Sequence, residues 1–258
     1  MIRVGVVGAT GRMGREVCRA VAAAPDLDLV AAVSRSGAGA TLAAAIGLEG
    51  NAADLTVADR LDALTAARAE VLVDFTGPAF GAEHVAWGIA HGIHVVEGTS
   101  GFAIDPSWAE AAVGVIVVPN FAIGAVLMQR FAREAAAWFA AAEVIELHHD
   151  GKRDAPSGTA LATAEAIAAA RRADWEAPLG DDGHPGARGA DVAGVRVHSV
   201  RLPGLLAHQE VLFGGPGQTL SIRHDSTDRV SFMPGILLAI RRVAERPGLT
   251  VGLEPLLG

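Results

Sequence analysis

The sequence predicts an α/β chain: a doubly wound parallel sheet plus a second α+β domain with a mixed sheet. Three observations carry this. Short apolar runs alternate with helical segments up to about residue 119, a glycine-spaced turn links the first run to the first helical segment, and beyond residue 172 the rhythm changes to strand-like runs set close together.

The parallel strands are read at residues 2–7, 27–33, 71–75, 94–97 and 113–118, all short and apolar. Residues 12–24, 80–91 and 106–112 suit crossover helices, with the short connections that such units use. After Pro119-Asn120-Phe121 an alanine-rich helix is expected to run to about residue 142. A strand follows at 143–147, then a helix over 158–172 with Ser157 as its N-cap. Gly and Pro gather over 178–194, which reads as a flexible loop before strands at 195–202, 208–213 and 219–223. The tail 234–246 regains helical periodicity, with Ile236, Leu237, Ile240 and Val243 on one side, and is expected to pack back on the first domain. The expected boundaries are 1–119 with 229–258 for the first domain and 120–228 for the second.

With 51% apolar and 19% charged residues, the 258-residue chain can bury a sizeable core. A formal net charge of −8, with no dense Lys/Arg stripe, argues against general nucleic-acid binding. No apolar run reaches the roughly 18 residues of a membrane span, and the first strand begins at Ile2, so a cytoplasmic protein without a signal peptide is expected. The single cysteine, Cys18, lies among apolar helix positions, where burial outweighs reactivity.

Gly8-Ala9-Thr10-Gly11-Arg12-Met13-Gly14 follows a strand and opens a helix, the context in which a glycine pattern becomes informative. Gly8 and Gly11 permit a tight turn and close approach of a pyrophosphate, Gly14 permits close helix–strand packing, and amides at the helix start meet the anion. A nicotinamide dinucleotide is the expected ligand; a bare strand-to-helix turn is the plainer alternative. About 20 residues on, where a carboxylate commonly holds the ribose, this chain has Ser34-Arg35-Ser36. An arginine beside two hydroxyls suits a 2′-phosphate, so NADPH is preferred over NADH, and Arg12 could add a second cation. Asp74-Phe75-Thr76 and Gly98-Thr99-Ser100 stand at the carboxyl ends of parallel strands, where the nicotinamide half could lie against the backbone.

The densest chemistry lies in Glu146-Leu147-His148-His149-Asp150-Gly151-Lys152-Arg153-Asp154-Ala155-Pro156-Ser157-Gly158-Thr159. Two imidazoles can move protons near neutral pH, Lys152 and Arg153 add positive charge, and the amides of Gly158 and Thr159 open a helix. Together these describe a site for a small carboxylate anion. Strand alternation sends His148 outward with Glu146, and His149 to the side of Ile145 and Leu147, so one imidazole could be structural. Adjacent histidines without a carboxylate or cysteine at ligand spacing do not indicate a metal.

With these motifs in this order, the chain resembles the 4-hydroxy-tetrahydrodipicolinate reductase family over nearly its whole length. His148-His149, Lys152 and Asp154-Ala155-Pro156-Ser157-Gly158-Thr159 carry the likeness most specifically, supported by His208-Gln209-Glu210 and Ile222-Arg223-His224-Asp225-Ser226. The resemblance implies a Rossmann-like first domain and NADH- or NADPH-dependent reduction of a small cyclic, unsaturated dicarboxylate to tetrahydrodipicolinate, in diaminopimelate and lysine biosynthesis. It further implies a homotetramer joined through the second domain's sheet. His148 would be the acid/base residue and Lys152 the proton donor, while His149, Gly158 and Thr159 hold substrate carboxylates. Gly8 to Met13, Gly98 to Ser100 and Val118-Pro119-Asn120-Phe121 would contact the cofactor. Many relatives carry Glu or Asp where Ser34 stands, and some a basic residue where Gly77 stands, which bears on the choice between NADH and NADPH. Three alternatives compete: a short-chain dehydrogenase, opposed by the absence of tyrosine; a regulatory protein that senses NADPH, opposed by His148 and Lys152; and a dehydrogenase acting on aspartate, opposed by the tandem histidines.

Overall fold

The computed structural model describes residues 1–99, 101–172, 175 and 183–258; Ser100 and part of the glycine- and proline-rich stretch, residues 178–182, lie outside them. In chain order the elements begin β1 Ile2–Val7, α1 Gly14–Ala23, β2 Leu27–Val33, α2 Leu42–Ile46, β3 Val57–Ala58 and α3 Asp62–Ala66. They continue with β4 Val71–Asp74, α4 Gly81–Ala90, β5 His94–Glu97, β6 Gly114–Val117, α5 Ile123–Ala135, β7 Ala141–His148 and α6 Gly158–Ala170. The last are β8 Ala190–Val192, β9 Val195–Arg201, β10 Ala207–Gly215, β11 Gln218–Ser226, α7 Met233–Arg242 and β12 Gly248–Val251. They form two units, Met1–Phe121 with Phe232–Gly258, and Ala122–Ser231.

In the first unit β-branched runs stack into a sheet of order β12-β6-β5-β4-β1-β2-β3, parallel throughout among the described residues. The order reverses between β1 and β4, the point at which open α/β sheets bind ligands. Helix α1 buries Gly14, Val17, Cys18 and Val21, a spacing that keeps one stripe on the core. Burial also pushes the Cys18 thiol up to about 12, so it packs as a small apolar group. The predicted Rossmann-like arrangement is present, and β12 extends it by pairing in parallel with β6.

The second unit holds a mixed sheet of order β11-β10-β7-β9-β8. β7 runs antiparallel to β10 and parallel to β9. Helices α5 and α6 cover one face, packing Met128, Ala132, Ala164 and Ile167 against Val144, Val197, Val211 and Phe213. Among the described residues no helix is long and apolar enough to cross a membrane.

Three local expectations need correction. The alanine-rich helix stops at Ala135, and β7 starts at Ala141. There Ala140 N donates to Gly214 O at 3.0 Å and Phe139 packs on Phe213, so pairing with β10 overrides alanine's helix preference. Residues 106–110 form a 3-10 turn held by Asp105, whose side chain accepts the Ser107 amide. The segment between β2 and β4, left without elements in the sequence reading, contains α2, β3 and α3.

The turn after β1 is sterically demanding. An added Cβ at Gly14 would lie 2.0 Å from Gly8 O, a backbone atom that cannot simply rotate away. Gly14→Ala is therefore expected to destabilise the chain by about 1–3 kcal/mol, measured as a lower midpoint in denaturant; an unchanged midpoint would show that the turn yields.

Candidate functional site

At the switch point, Gly8 has φ +79°, and a Cβ there would meet Phe75 O at 2.8 Å. The glycines thus bring the end of β1 close to the end of β4 and the start of α1. A cleft of about 620 Å³ opens beside them, lined by Gly8, Thr10 and Gly11, by Ser34, Arg35 and Ser36, and by Phe75, Thr76, Phe80 and His84. Its volume falls within the range for cofactor sites, roughly 300–1,000 Å³. Thr10 ties the turn to the end of β2, its hydroxyl lying 2.6 Å from Ser34 Oγ and donating to Ser36 O at 2.9 Å. The Arg35 guanidinium lies 4.5 Å from the Phe80 ring centroid. A cradle with no room for side chains, a helix start and a cation at the far end fit a dinucleotide.

Not every sequence-predicted position lines that cleft. Ala9 is buried, its amide bonded to Val33 O at 3.2 Å, while Arg12 and Met13 are absent from the lining. Gly98 packs under Phe75, where a Cβ would meet the ring at 2.2 Å, and Thr99 is buried. Val118 and Phe121 are also buried, Phe121 lying 5.7 Å from Phe75 between ring centroids, whereas Pro119 is exposed and Asn120 half-buried. Asp59 and Glu83 reach the cleft as carboxylates that the sequence reading missed. Asp59 follows the two-residue strand β3, too short to leave a periodic signal.

In the second unit, alternation along β7 runs opposite to expectation: Glu146 shares the buried face with Ala142 and Val144, while Ile145 and Leu147 are half-buried on the other face. The carboxylate can be buried because donors surround it. Arg201 grips it with two 2.8 Å bonds, the Ser157 amide donates at 3.2 Å, and His148 Nδ1 pairs with Oε2. Burial alone would raise its pKa, but hydrogen bonds from His148, Arg201 and Ser199, with the His148 charge, hold it down to about 2. A carboxylate can only accept, so Nδ1 of His148 carries the proton and Nε2 is the nitrogen left for exchange.

The same hub reaches the cation. Arg201 Nη2 also donates to Asp154 O, and the Asp154 carboxylate receives Lys152 Nζ at 2.7 and 2.8 Å. This hydrogen bond from Lys152 holds the Asp154 carboxyl below its usual range. Ser157 Oγ accepts the Ala160 amide at 3.2 Å, the predicted N-cap of α6. Gly158 is exposed, and a Cβ there would meet nothing within 4 Å, so a ligand has access to the backbone. His149 and Thr159 are half-buried, and Arg153 is exposed. His148, Lys152 and the start of α6 are thereby linked through Glu146, Arg201 and Asp154. Among the described residues no cluster suits a metal ion.

The family model "Dihydrodipicolinate reductase, N-terminus" matches residues 2–121, and its C-terminal counterpart matches 124–257. The chain belongs to the dihydrodipicolinate reductase family. It is 51% identical to a 4-hydroxy-tetrahydrodipicolinate reductase of Nocardia farcinica, covering 99% of this chain and 98% of the relative. It is 49% identical to that of Corynebacterium diphtheriae, covering 98% and 97%. A dihydrodipicolinate reductase from Paenisporosarcina sp. TG-14, solved with dipicolinate bound, is 41% identical, with a TM-score of 0.86 and full coverage of both chains. The reductase-family resemblance read from His148 to Thr159 therefore extends through both units.

The pairing of Glu146 with Arg201 gave no signal in the sequence, since the two lie 55 positions apart and meet only through β7–β9 pairing. Arg201→Met would strand a buried carboxylate and is expected to cost about 3–5 kcal/mol in chemical unfolding. The depressed pKa of Glu146 stabilises the fold above pH 4.5, and that contribution is lost as pH falls through about 2. Acid titration of the native chain should therefore show unfolding promoted across this window, with the Arg201→Met chain unfolding at higher pH.

Proposed function

We propose that this chain is an NAD(P)H-dependent 4-hydroxy-tetrahydrodipicolinate reductase, serving the diaminopimelate route to lysine. The observation that carries this is the hydrogen-bonded linkage of His148, Lys152 and the α6 start, in a chain whose family match spans both units. The Paenisporosarcina relative, solved with a cyclic dicarboxylate, supports the ligand class.

The first unit would hold the dinucleotide through Gly8 to Met13, Ser34 and Arg35, with Gly98 to Ser100 and Val118 to Phe121 toward the nicotinamide. Reduced nicotinamide supplies a hydride when bound. Lys152 donates the proton that the reduced ring then needs, and its charge stabilises the electron density gathering there. His148 acts as acid/base through Nε2, kept in one tautomer by Glu146. His149, Lys152 and the Gly158-Thr159 backbone hold the carboxylates at the positive end of α6. NADPH is the preferred cofactor because Arg35 stands beside Ser34 and Ser36 without a carboxylate directly after β2; Asp59, in the same cleft, is the feature that favours NADH. The second unit would also join the subunits of a homotetramer, and the enzyme would act in the cytoplasm.

Substrate generated enzymatically from pyruvate and aspartate semialdehyde, with absorbance of each reduced nicotinamide followed, tests the activity. Lys152→Ala should lower kcat by about 10²–10⁴-fold while NADPH binding is retained; unchanged turnover removes Lys152 from the mechanism. Arg35→Ala should weaken NADPH far more than NADH, and equal weakening of both would refute the phosphate contact.

A further inference from the structure

Glu97, at the end of β5, has no solvent exposure and no role in the chemistry above. Its registered neighbour on β4 is Asp74, equally buried, and the two carboxyl groups interact out of reach of bulk solvent. The Asp74 carboxylate accepts the Thr76 amide at 2.7 Å, the Thr76 hydroxyl at 3.2 Å and His84 Nδ1 at 2.6 Å. Among the described residues Glu97 is met by donors from Thr99 alone, whose amide donates to Oε1 at 2.6 Å and whose side chain also lowers its pKa. With both groups ionised, Glu97 Oε2 has no donor among the described residues. One proton removes both the orphaned atom and the repulsion, and it belongs on Glu97, the partner with fewer donors. Burial, then the Asp74 charge, pushes Glu97 up to about 9, consistent with that placement. The facing titratable groups are Asp74 on β4 and, one hydrogen bond further, His84 on α4; on the other side β6 pairs Val117 with Glu97.

We propose that Glu97 is a positioning residue that carries a proton and donates it to Asp74, locking the Asp74–Thr76 turn to the Gly98–Thr99 turn and thereby setting dinucleotide affinity. The proposal rests on reading the cleft as the dinucleotide site, since Phe75, Thr76 and His84 line it. Glu97 acts through these neighbours and touches no reacting atom. Loss of its proton sets two buried anions side by side and opens the clamp, so affinity falls on the alkaline side. The sign for stability is the same: the favourable contribution is complete below pH 4.5 and lost as pH rises through about 9.

Glu97→Gln decides the matter, because its amide can accept from Thr99 and donate to Asp74 at every pH. Kd for NADPH, followed by fluorescence, should rise about tenfold between pH 8 and pH 10 in the native chain and stay flat in Glu97→Gln. The gap in melting temperature between Glu97→Gln and native should widen in favour of the variant from pH 6 to pH 9. Glu97→Ala should raise the KM for NADPH while kcat at saturating cofactor is kept. A parallel pH response in native and Glu97→Gln chains, in both binding and melting, overturns the proposal. A native chain that binds no dinucleotide at any pH defeats the reading of the cleft, whereas the melting comparison tests the protonated clamp independently.

Discussion

A carboxylate with no solvent exposure can persist in a protein interior only when donors replace the water it has lost. Glu146 meets that condition with Arg201, His148 and the Ser157 amide, and much of the second unit's chemistry is arranged by this requirement. Because the donors come from β9, from the end of β7 and from the cap of α6, meeting the electrostatic need also fixes the relative placement of three elements. His148 is left with one nitrogen for exchange, and Arg201 extends the network to Asp154 and Lys152. Stability and site geometry are here one interaction.

The first unit answers the same problem differently. Asp74 and Glu97 lie side by side at the ends of β4 and β5 with no cation paired to Glu97 among the described residues. A shared proton is the remaining physical solution. The two buried glutamates thus depart from the ordinary carboxylate range in opposite directions, one down to about 2 and the other up to about 9. The deciding quantity is the supply of donors, since both side chains are fully buried.

Legibility in the sequence followed interaction range. The glycine turn was readable because Gly8, Gly11 and Gly14 recur within one turn of chain, and at Gly11 and Gly14 an added Cβ would meet backbone of that same turn; the close approach of Gly8 to Phe75 is long-range. Ser157 as N-cap was readable for the same reason. The alanine-rich run was misread beyond Ala135 because Gly214, its partner, lies far along the chain. Glu146 was placed on the wrong face because alternation assigns polar residues to solvent, and Arg201, which reverses that preference, is supplied from another strand. At Gly98 the sequence showed only the absence of a side chain, and the Phe75 ring that occupies that side chain's space comes from β4's end, beyond local reading.

By itself the sequence determined the alternation of strand and helix, the glycine cradle, the capped start of α6 and the cluster of His148, His149 and Lys152. All of these depend on residues close in the chain, whose spacing sets backbone geometry directly. Only the tertiary structure decided that Glu146 is the hub beneath His148, that Asp59 and Glu83 enter the cleft, and that Asp74 meets Glu97. These depend on strand order and register, which bring charges from distant positions into a medium where an unmatched one is costly, so their states follow from their neighbours in space.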